Sequence, residues 1–436
     1  MVPMANPVNP PRGMRDFLPA DKARREHALG LIRGVYRAHG FDEIETPVVE
    51  DWDRLHAGLG GDNEKLSFSI LKRGITPEAL AAAAERGAAD ELADLGLRFD
   101  LTVPLARFYA SHRAELPPVF RAIQIAPVWR AERPQKGRYR QFVQADIDII
   151  GEPGLIAEIE LITATSQALA ALGLENCVIR VNDRRILAGM LASCGFAESE
   201  VDRALITVDK LDKIGAVGVV AELREFDAVA AERLGEILAR VEPALAHGIA
   251  LTREAIEAVL SLEQGGPAAE GIDSLAELGS ALAGGLPSGV SLAFDPTLVR
   301  GMGYYTGTIF EVAHPGSGSS VGGGGRYDGM IGRFLGQDVP AVGFSIGFER
   351  VVDLIDLPER EGPEAIALVA DADVAAADLV SLKRELVARG HRVRLEKRQK
   401  NMKTLLARVR ADGFASIANV RAGVRSADEL ELRPLS

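Results

Sequence analysis

Only two cysteines, Cys177 and Cys194, occur in 436 residues. That is too few for a disulfide framework or a cysteine zinc site, and it fits a reducing, cytoplasmic setting. No apolar run reaches the roughly 18 residues of a membrane span, so no membrane partner is expected. Met1 to Arg15 lacks the apolar stretch of a secretory signal. Positive charge is scarce: 50 Lys and Arg against 62 Asp and Glu leave a formal net charge of −12. General attraction to nucleic acid is therefore excluded, and any RNA contact must come from local basic patches. The two commonest nucleotide signatures are missing as well, a Gly-x4-Gly-Lys-Ser/Thr phosphate loop and a Gly-x-Gly-x-x-Gly after a strand, and so is the His-Glu-x-x-His zinc motif. What remains is an ordinary globular composition, 47% hydrophobic and 26% charged, long enough for about three domains.

The chain opens on a proline-rich arm: Pro3, Pro7, Pro10, Pro11 and Pro19. Ala28, Leu31, Ile32 and Val35 recur at helical spacing before Gly40, so a helix is expected over 21–39. Thr76-Pro77-Glu78 reads as a capped start for a second helix over 76–95. Between Phe120 and Gly151 the period changes to two, which predicts two antiparallel strands joined by a polar loop. Residues 154–290 read as mostly helical, and strands resume from Ser291 to Asp356. The segment Leu357-Pro358-Glu359-Arg360-Glu361-Gly362-Pro363 reads as a linker. Beyond it, strand and helix patterns alternate at 365–370, 375–389, 391–396, 400–412 and 415–420, as in a small α/β domain.

Four segments carry chemistry. The hairpin loop from Arg130 to Gln141 packs five cations, including Arg130, Arg133, Arg138 and Arg140, against one acid. Guanidinium forks suit phosphate, although a charged hairpin tip is also simply a solvated one. Gln144, Asp146 and Asp148 follow at alternate positions and so share one sheet face. Cations at one end and carboxylates at the other suit a ligand that is anionic at one end and cationic at the other. The second segment, Arg300-Gly-Met-Gly-Tyr304-Tyr305-Thr306-Gly307-Thr308, puts an arginine on a glycine turn that feeds a strand; paired tyrosines serve packing as readily as binding. The third, Gly322-Gly323-Gly324-Gly325-Arg326-Tyr327-Asp328-Gly329, lies between a strand and a helix, where bare backbone lets a flat ring or a phosphate come close. The fourth, Gly343-Phe-Ser-Ile-Gly347-Phe-Glu349-Arg350, runs from a strand into a helix bearing an arginine that is either a phosphate clamp or a surface residue.

Together these segments resemble histidyl-tRNA synthetase, a class II aminoacyl-tRNA synthetase family. The likeness starts at Arg12-Gly-Met-Arg15-Asp16 and covers nearly the whole chain. Glu45-Thr-Pro47 is similar to the class II motif 1, residues 120–151 to motif 2, Leu298–Glu311 and Gly323–Gly329 to the two histidine motifs, and 341–352 to motif 3. The resemblance implies an α+β fold with an antiparallel catalytic sheet flanked by helices. The first part of the core would span 1–180, a helical insertion 181–290, the second part of the core 291–357 and an α/β anticodon-binding domain 364–436. It also implies a homodimer. Its activity would be the ATP-dependent activation of L-histidine and charging of tRNA(His), with Mg²⁺ on the phosphates and no metal held by side chains alone.

Carried over by position, Arg130 would hold the α-phosphate and the amino-acid carboxylate, Arg350 the γ-phosphate and Arg138 another phosphate. Arg300 would offset charge as pyrophosphate leaves. Asp100, Thr102 and Gln144 match the residues that hold the α-ammonium. Asp148 and Tyr305 match the pair that brackets the imidazole, and Tyr327 lines the same pocket. Arg133 and Gln135 match positions near the tRNA acceptor end. The basic run Arg392, Arg394, Lys397, Arg398, Lys400, Lys403, Arg408 and Arg410 is a local patch for RNA phosphates or a solvated face. The chain departs from the family pattern at Gly303, where an Asp is usual, at Asp148, where many bacterial members have Glu, and in a C-terminal domain that stops short of the last element. The rival reading is a paralogue on the same fold, the histidine-binding regulatory subunit of ATP phosphoribosyltransferase, which generally lacks the anticodon domain and several of these arginines.

Overall fold

A computed structural model describes residues 8–56, 66–134, 137–260, 266–300, 305–356 and 364–435. The chain divides into two compact units, Met1–Leu357 and Pro358–Ser436. The first proline-arm residues and the 357–363 linker lie outside the described residues.

In the first unit the strands are β1 (Asp42–Glu43), β2 (Val49–Asp51), β3 (Phe68–Leu71), β4 (Ala93–Leu97), β5 (Phe120–Trp129), β6 (Gln141–Ile150), β7 (Cys177–Asp183), β8 (Val290–Phe294), β9 (Thr308–Ala313), β10 (Gly322–Arg326) and β11 (Ala341–Ile346). Eight of them form one sheet in the order β1-β5-β6-β11-β10-β9-β7-β8, and β2-β4-β3 form a smaller one. The large sheet is antiparallel except where β1 joins β5 and β8 joins β7. Its Ala145, Ile147 and Ile149 face pack into the main core with helices Pro19–Ala38 and Ile156–Ala171. The opposite face carries Gln144, Asp146 and Asp148.

The helix Pro19–Ala38 begins on its proline, carries Asp21 in the first turn, and buries Ala28, Leu29, Ile32 and Tyr36. It ends before Gly40, whose φ of +81° suits the position after a helix. The second helix is shorter than its spacing predicts. Thr76 Oγ1 accepts from the Ala79 N–H at 3.2 Å, but the helix stops at Arg86, with Gly87 left-handed at φ +64°. Residues 93–97 instead form the central strand of the small sheet. Two further strands depart from expectation. Within the segment read as helical, Val178, Ile179 and Val181 lie on β7, where β-branched residues overrule the surrounding Ala/Leu pattern. The glycine run is a strand, β10, and not a connection.

A buried ion pair ties the first helix to the site. Arg25 Nη1 and Nη2 donate to the two Glu349 oxygens at 2.7 and 2.6 Å. Arg15 also pairs with Glu349 and lies 3.5 Å from the Tyr139 ring centroid. The Arg140 N–H donates to Gly13 O at 2.8 Å, so the N-terminal arm straps the β5–β6 loop. Removing Arg25 strips the buried Glu349 of its bidentate partner and leaves it the partly exposed Arg15 and the Val143 N–H, so Arg25→Ala is expected to cost about 3 kcal/mol of stability in urea unfolding, the lower end for breaking a buried pair. A loss below about 1 kcal/mol, the scale of an exposed pair, would contradict the burial.

The second unit has β12 (Ala365–Ala370), β13 (Arg392–Lys397), β14 (Ser416–Val420) and β15 (Arg433–Pro434) in the order β13-β12-β14-β15. Helices Ala376–Ala388 and Met402–Ala411 connect the parallel strands. Part of the basic run is internally paired: Arg394 and Arg408 on Glu396, Arg398 on Asp371. Lys397, Lys400, Lys403 and Arg410 are exposed.

Candidate active site

Register builds the site. On one face, Asp148 lies opposite Gly343, which lies opposite Gly325. One row along, Asp146 lies opposite Ser345 and Ser345 opposite Gly323. Glycines beside the carboxylates leave bare backbone as the floor of a hollow. A Cβ at Gly343 would overlap Asp148 Oδ1, and one at Gly325 would come 3.0 Å from the Tyr305 ring.

The hollow measures about 120 Å³ and is lined by Asp100, Thr102, Arg130, Gln144, Asp146, Asp148, Tyr305 and Tyr327 among others. A volume near 150 Å³ holds one benzene, so this one is on the scale of a single small ring. Tyr327 donates its hydroxyl proton to Asp148 Oδ1 at 2.6 Å. Burial pushes Asp148 up to about 7, against the Tyr327 hydrogen bond and helped by the Asp100 charge. Burial lifts Asp100 to about 6, opposed by the Val103 N–H and by Arg130. Asp146 is raised well above the usual carboxylate range, first by burial and then by Asp148. Three carboxylates with one guanidinium between them await a ligand rich in N–H donors.

A second cavity of about 440 Å³ shares Arg130, Gln144, Tyr305, Gly323 and Ser345 with the first. Arg138, Arg300 and Arg350 line it together with Arg130. Burial lowers the Arg350 pKa first, and the charges of Arg138, Arg300 and Arg130 lower it further. Four guanidiniums that repel one another around an open volume suit a polyanion. Protein contacts aim three of them: Arg130 Nε donates to Phe99 O at 3.0 Å, Arg350 Nη1 to Ser320 O at 2.5 Å, and Arg300 Nη1 pairs with Glu311 at 2.9 Å; Arg138 lies 3.8 Å from Glu132. Glu311 is itself paired with Arg180, which also binds Asp295.

The site residues predicted for small-molecule binding thus converge on two communicating cavities. Arg133 is exposed and lines neither, while Gln135 and Gly303 lie outside the described residues. The sequence reading put Asp146 on the ligand-facing sheet face without giving it a role, and it gave none to Glu311 or the Arg15–Arg25–Glu349 cluster. For Asp146 the signal was its alternation between Gln144 and Asp148; for the others only the folded contacts reveal the partnership. Among the described residues no group of three or more His, Cys, Asp or Glu could hold a metal ion. The carboxylates that line the arginine cavity, Glu132 and Glu349, are paired with Arg138 and with Arg15 and Arg25, so a side-chain Mg²⁺ cage does not fit there.

A predominantly antiparallel sheet flanked by helices, with a strand–loop–strand arginine, a strand–helix arginine and a polyanion cavity between them, defines the core of a class II aminoacyl-tRNA synthetase. The family model for histidyl-tRNA synthetase matches residues 13–86 and 89–351. The chain is 65% identical over 434 residues to the histidine–tRNA ligase of Leifsonia xyli subsp. xyli, covering 99% of this chain and 100% of that one. It is 42% identical over 412 residues to a probable histidine–tRNA ligase of Tropheryma whipplei, covering 94% and 95%. In fold it is similar to the crystal structure of histidyl-tRNA synthetase from Nostoc sp. PCC 7120, with a TM-score of 0.75, 24% identity and coverage of 99% and 95%. It is also similar to a Bacillus halodurans ATP phosphoribosyltransferase regulatory subunit/histidyl-tRNA synthetase, with a TM-score of 0.76, 22% identity and coverage of 97% and 100%. The chain belongs to the histidyl-tRNA synthetase family.

Proposed function

We propose that this protein activates L-histidine with ATP and transfers the histidyl group to the 3′ end of tRNA(His). The observation that carries the reading is the pair of communicating cavities, one acidic and ring-sized, the other ringed by four arginines, with Arg130 in both walls. A histidine carboxylate oxygen attacks the ATP α-phosphorus, the bond to the bridging oxygen breaks, and pyrophosphate leaves. The nucleophile is already ionised, so no general base is needed; the barrier is anion–anion repulsion and orientation. Arg130 bridges carboxylate and α-phosphate, Arg300 faces the charge that develops as pyrophosphate departs, and Arg350 and Arg138 hold the outer phosphates. Mg²⁺ carried on the triphosphate would offset phosphate-oxygen charge beside Arg130, Arg138, Arg300 and Arg350. Asp100, Thr102 and Gln144 seat the α-ammonium. Asp148 accepts an imidazole N–H and Tyr305 serves the other ring nitrogen, so residues lacking that donor–acceptor pair leave buried groups unsatisfied. A terminal ribose hydroxyl of the tRNA then attacks the activated carbonyl carbon and AMP leaves.

Arg133 and Gln135 would meet the acceptor end. Residues 364–436 would read the anticodon, using the exposed cations that internal pairs leave available. Residues 181–290 would be the helical insertion between the core segments 1–180 and 291–357, with its first residues, to Asp183, and its last, Val290, still on core strands β7 and β8. A homodimer through the Glu45-Thr-Pro47 region and a cytoplasmic location complete the proposal; among the described residues no helix is long and apolar enough to cross a membrane.

Histidine-dependent exchange between pyrophosphate and ATP tests the reading. Exchange that requires L-histidine, followed by AMP-forming charging of tRNA(His), is expected. Histidine binding without exchange would overturn it in favour of the regulatory paralogue.

A further inference from the structure

Asp146 stands on β6 between two residues already given roles, Gln144 and Asp148, and its own role is open. It is only 5% exposed and lines the smaller cavity. Its Oδ2 accepts from Gln144 Nε2 at 3.2 Å. Its Oδ1 is buried without a hydrogen-bond partner, and so is Gln144 Oε1. Two adjoining buried acceptors without donors, one on a carboxylate, are costly unless a ligand satisfies them. Of the sheet neighbours opposite Asp146, Ser345 reaches the carboxylate with its hydroxyl and Gln124 gives its amide N–H to Leu101 O, yet Oδ1 itself still takes no hydrogen bond.

We propose that Asp146 is a second counter-ion of the substrate α-ammonium besides Asp100, contacting it directly beside Gln144 Oε1. The inference rests on the histidine-activating reading and adds a recognition residue to it. An ammonium carries three N–H donors and no acceptor, which suits a wall of acceptors only. The imidazole is the poorer candidate for this position. Asp148 already meets the ring-sized hollow over Gly343, and it stands two residues, about 6.7 Å, further along the strand. The arrangement also balances charge along the substrate, with its carboxylate toward Arg130 and its ammonium toward Asp146. Gln144 donates to Asp146 and is thereby turned so that its carbonyl oxygen faces the same ammonium.

The test is a cycle of two proteins and three ligands, read by calorimetric titration. The proteins are the full-length parent and Asp146→Asn, with Asp146→Ser as a second variant and thermal melting as the folding check. The ligands are L-histidine, histamine (ammonium kept, carboxylate removed) and 3-(imidazol-4-yl)propionate (carboxylate kept, ammonium removed). Asp146→Asn is expected to weaken histidine and histamine by about 10- to 100-fold, the scale of a charge-assisted hydrogen bond, and the propionate by less than about twofold. Equal weakening of all three ligands, or no weakening of histamine, would overturn the inference, because Asp146 would then only shape the cavity. Pyrophosphate exchange by the parent separates the two levels. Its absence sinks the underlying reading, whereas its presence with an unresponsive cycle sinks only the role of Asp146.

Discussion

Asp148→Ala is expected to lower kcat/KM for histidine in pyrophosphate exchange on the order of 10⁴-fold, the scale at which a site built to hydrogen-bond a substrate group discriminates. The ATP dissociation constant should move less than about threefold. The asymmetry follows from geometry, since Asp148 lines the ring-sized hollow and is absent from the arginine cavity wall. The truncation also removes the acceptor of the Tyr327 hydroxyl hydrogen bond to Asp148 Oδ1. Equal losses toward both substrates would refute the assignment.

Asp148→Asn separates charge from shape. The folded carboxyl titrates near 7, above the ordinary value of about 3.9, so the folded protein binds its proton more tightly than the unfolded chain does. The stability penalty of the buried charge is therefore absent at low pH, builds as pH rises from about 4 to about 7, and is complete above that. The Asn variant should match the parent in thermal melts near pH 4 and exceed it near pH 8, while activating histidine poorly at both. Parent and variant of equal stability at pH 8 would mean that Asp148 is not an unrelieved charge in the empty pocket.

The elements legible in the sequence were those whose period extends over many residues: the Pro19–Ala38 helix, the β5–β6 hairpin and the alternating C-terminal unit. The failures share one physical origin, that sheet neighbours distant in the chain decide the outcome. β10 is nearly all glycine and has no strand propensity of its own; its hydrogen bonds to β9 and β11 hold it extended. β7 is a short β-branched run inside an alanine-rich stretch, selected by pairing with β8 and β9. The site follows the same rule. Arg130, Gln144 and Asp148 were readable because they crowd one hairpin. Glu349 was not, because its partners Arg15 and Arg25 lie more than 300 residues earlier. Nor does any spacing signal that Asp146 retains an acceptor for a ligand.

Arg300→Ala is expected to reduce the rate constant of histidyl-adenylate formation by about 10²- to 10³-fold in single-turnover measurements, the usual loss when one group aimed at transition-state charge is removed. Histidine affinity should hold within a few-fold, because Arg300 lines only the polyanion cavity. The glycine run makes this arginine's position a property of backbone two strands away. A Cβ on Gly323 would overlap Arg300 Nη1 and come within 2.9 Å of its Cζ. Gly323 also lies opposite Glu311, the residue that pairs with Arg300. Gly323→Ala should therefore reproduce the Arg300→Ala defect with every charge still present, by tilting the guanidinium off its carboxylate anchor. If Gly323→Ala instead leaves the chemical step intact and raises only KM for histidine, the methyl group intrudes on the ring pocket and not on the arginine. The bare strand would then serve substrate fit alone, and the link from β10 to phosphoryl chemistry would fail.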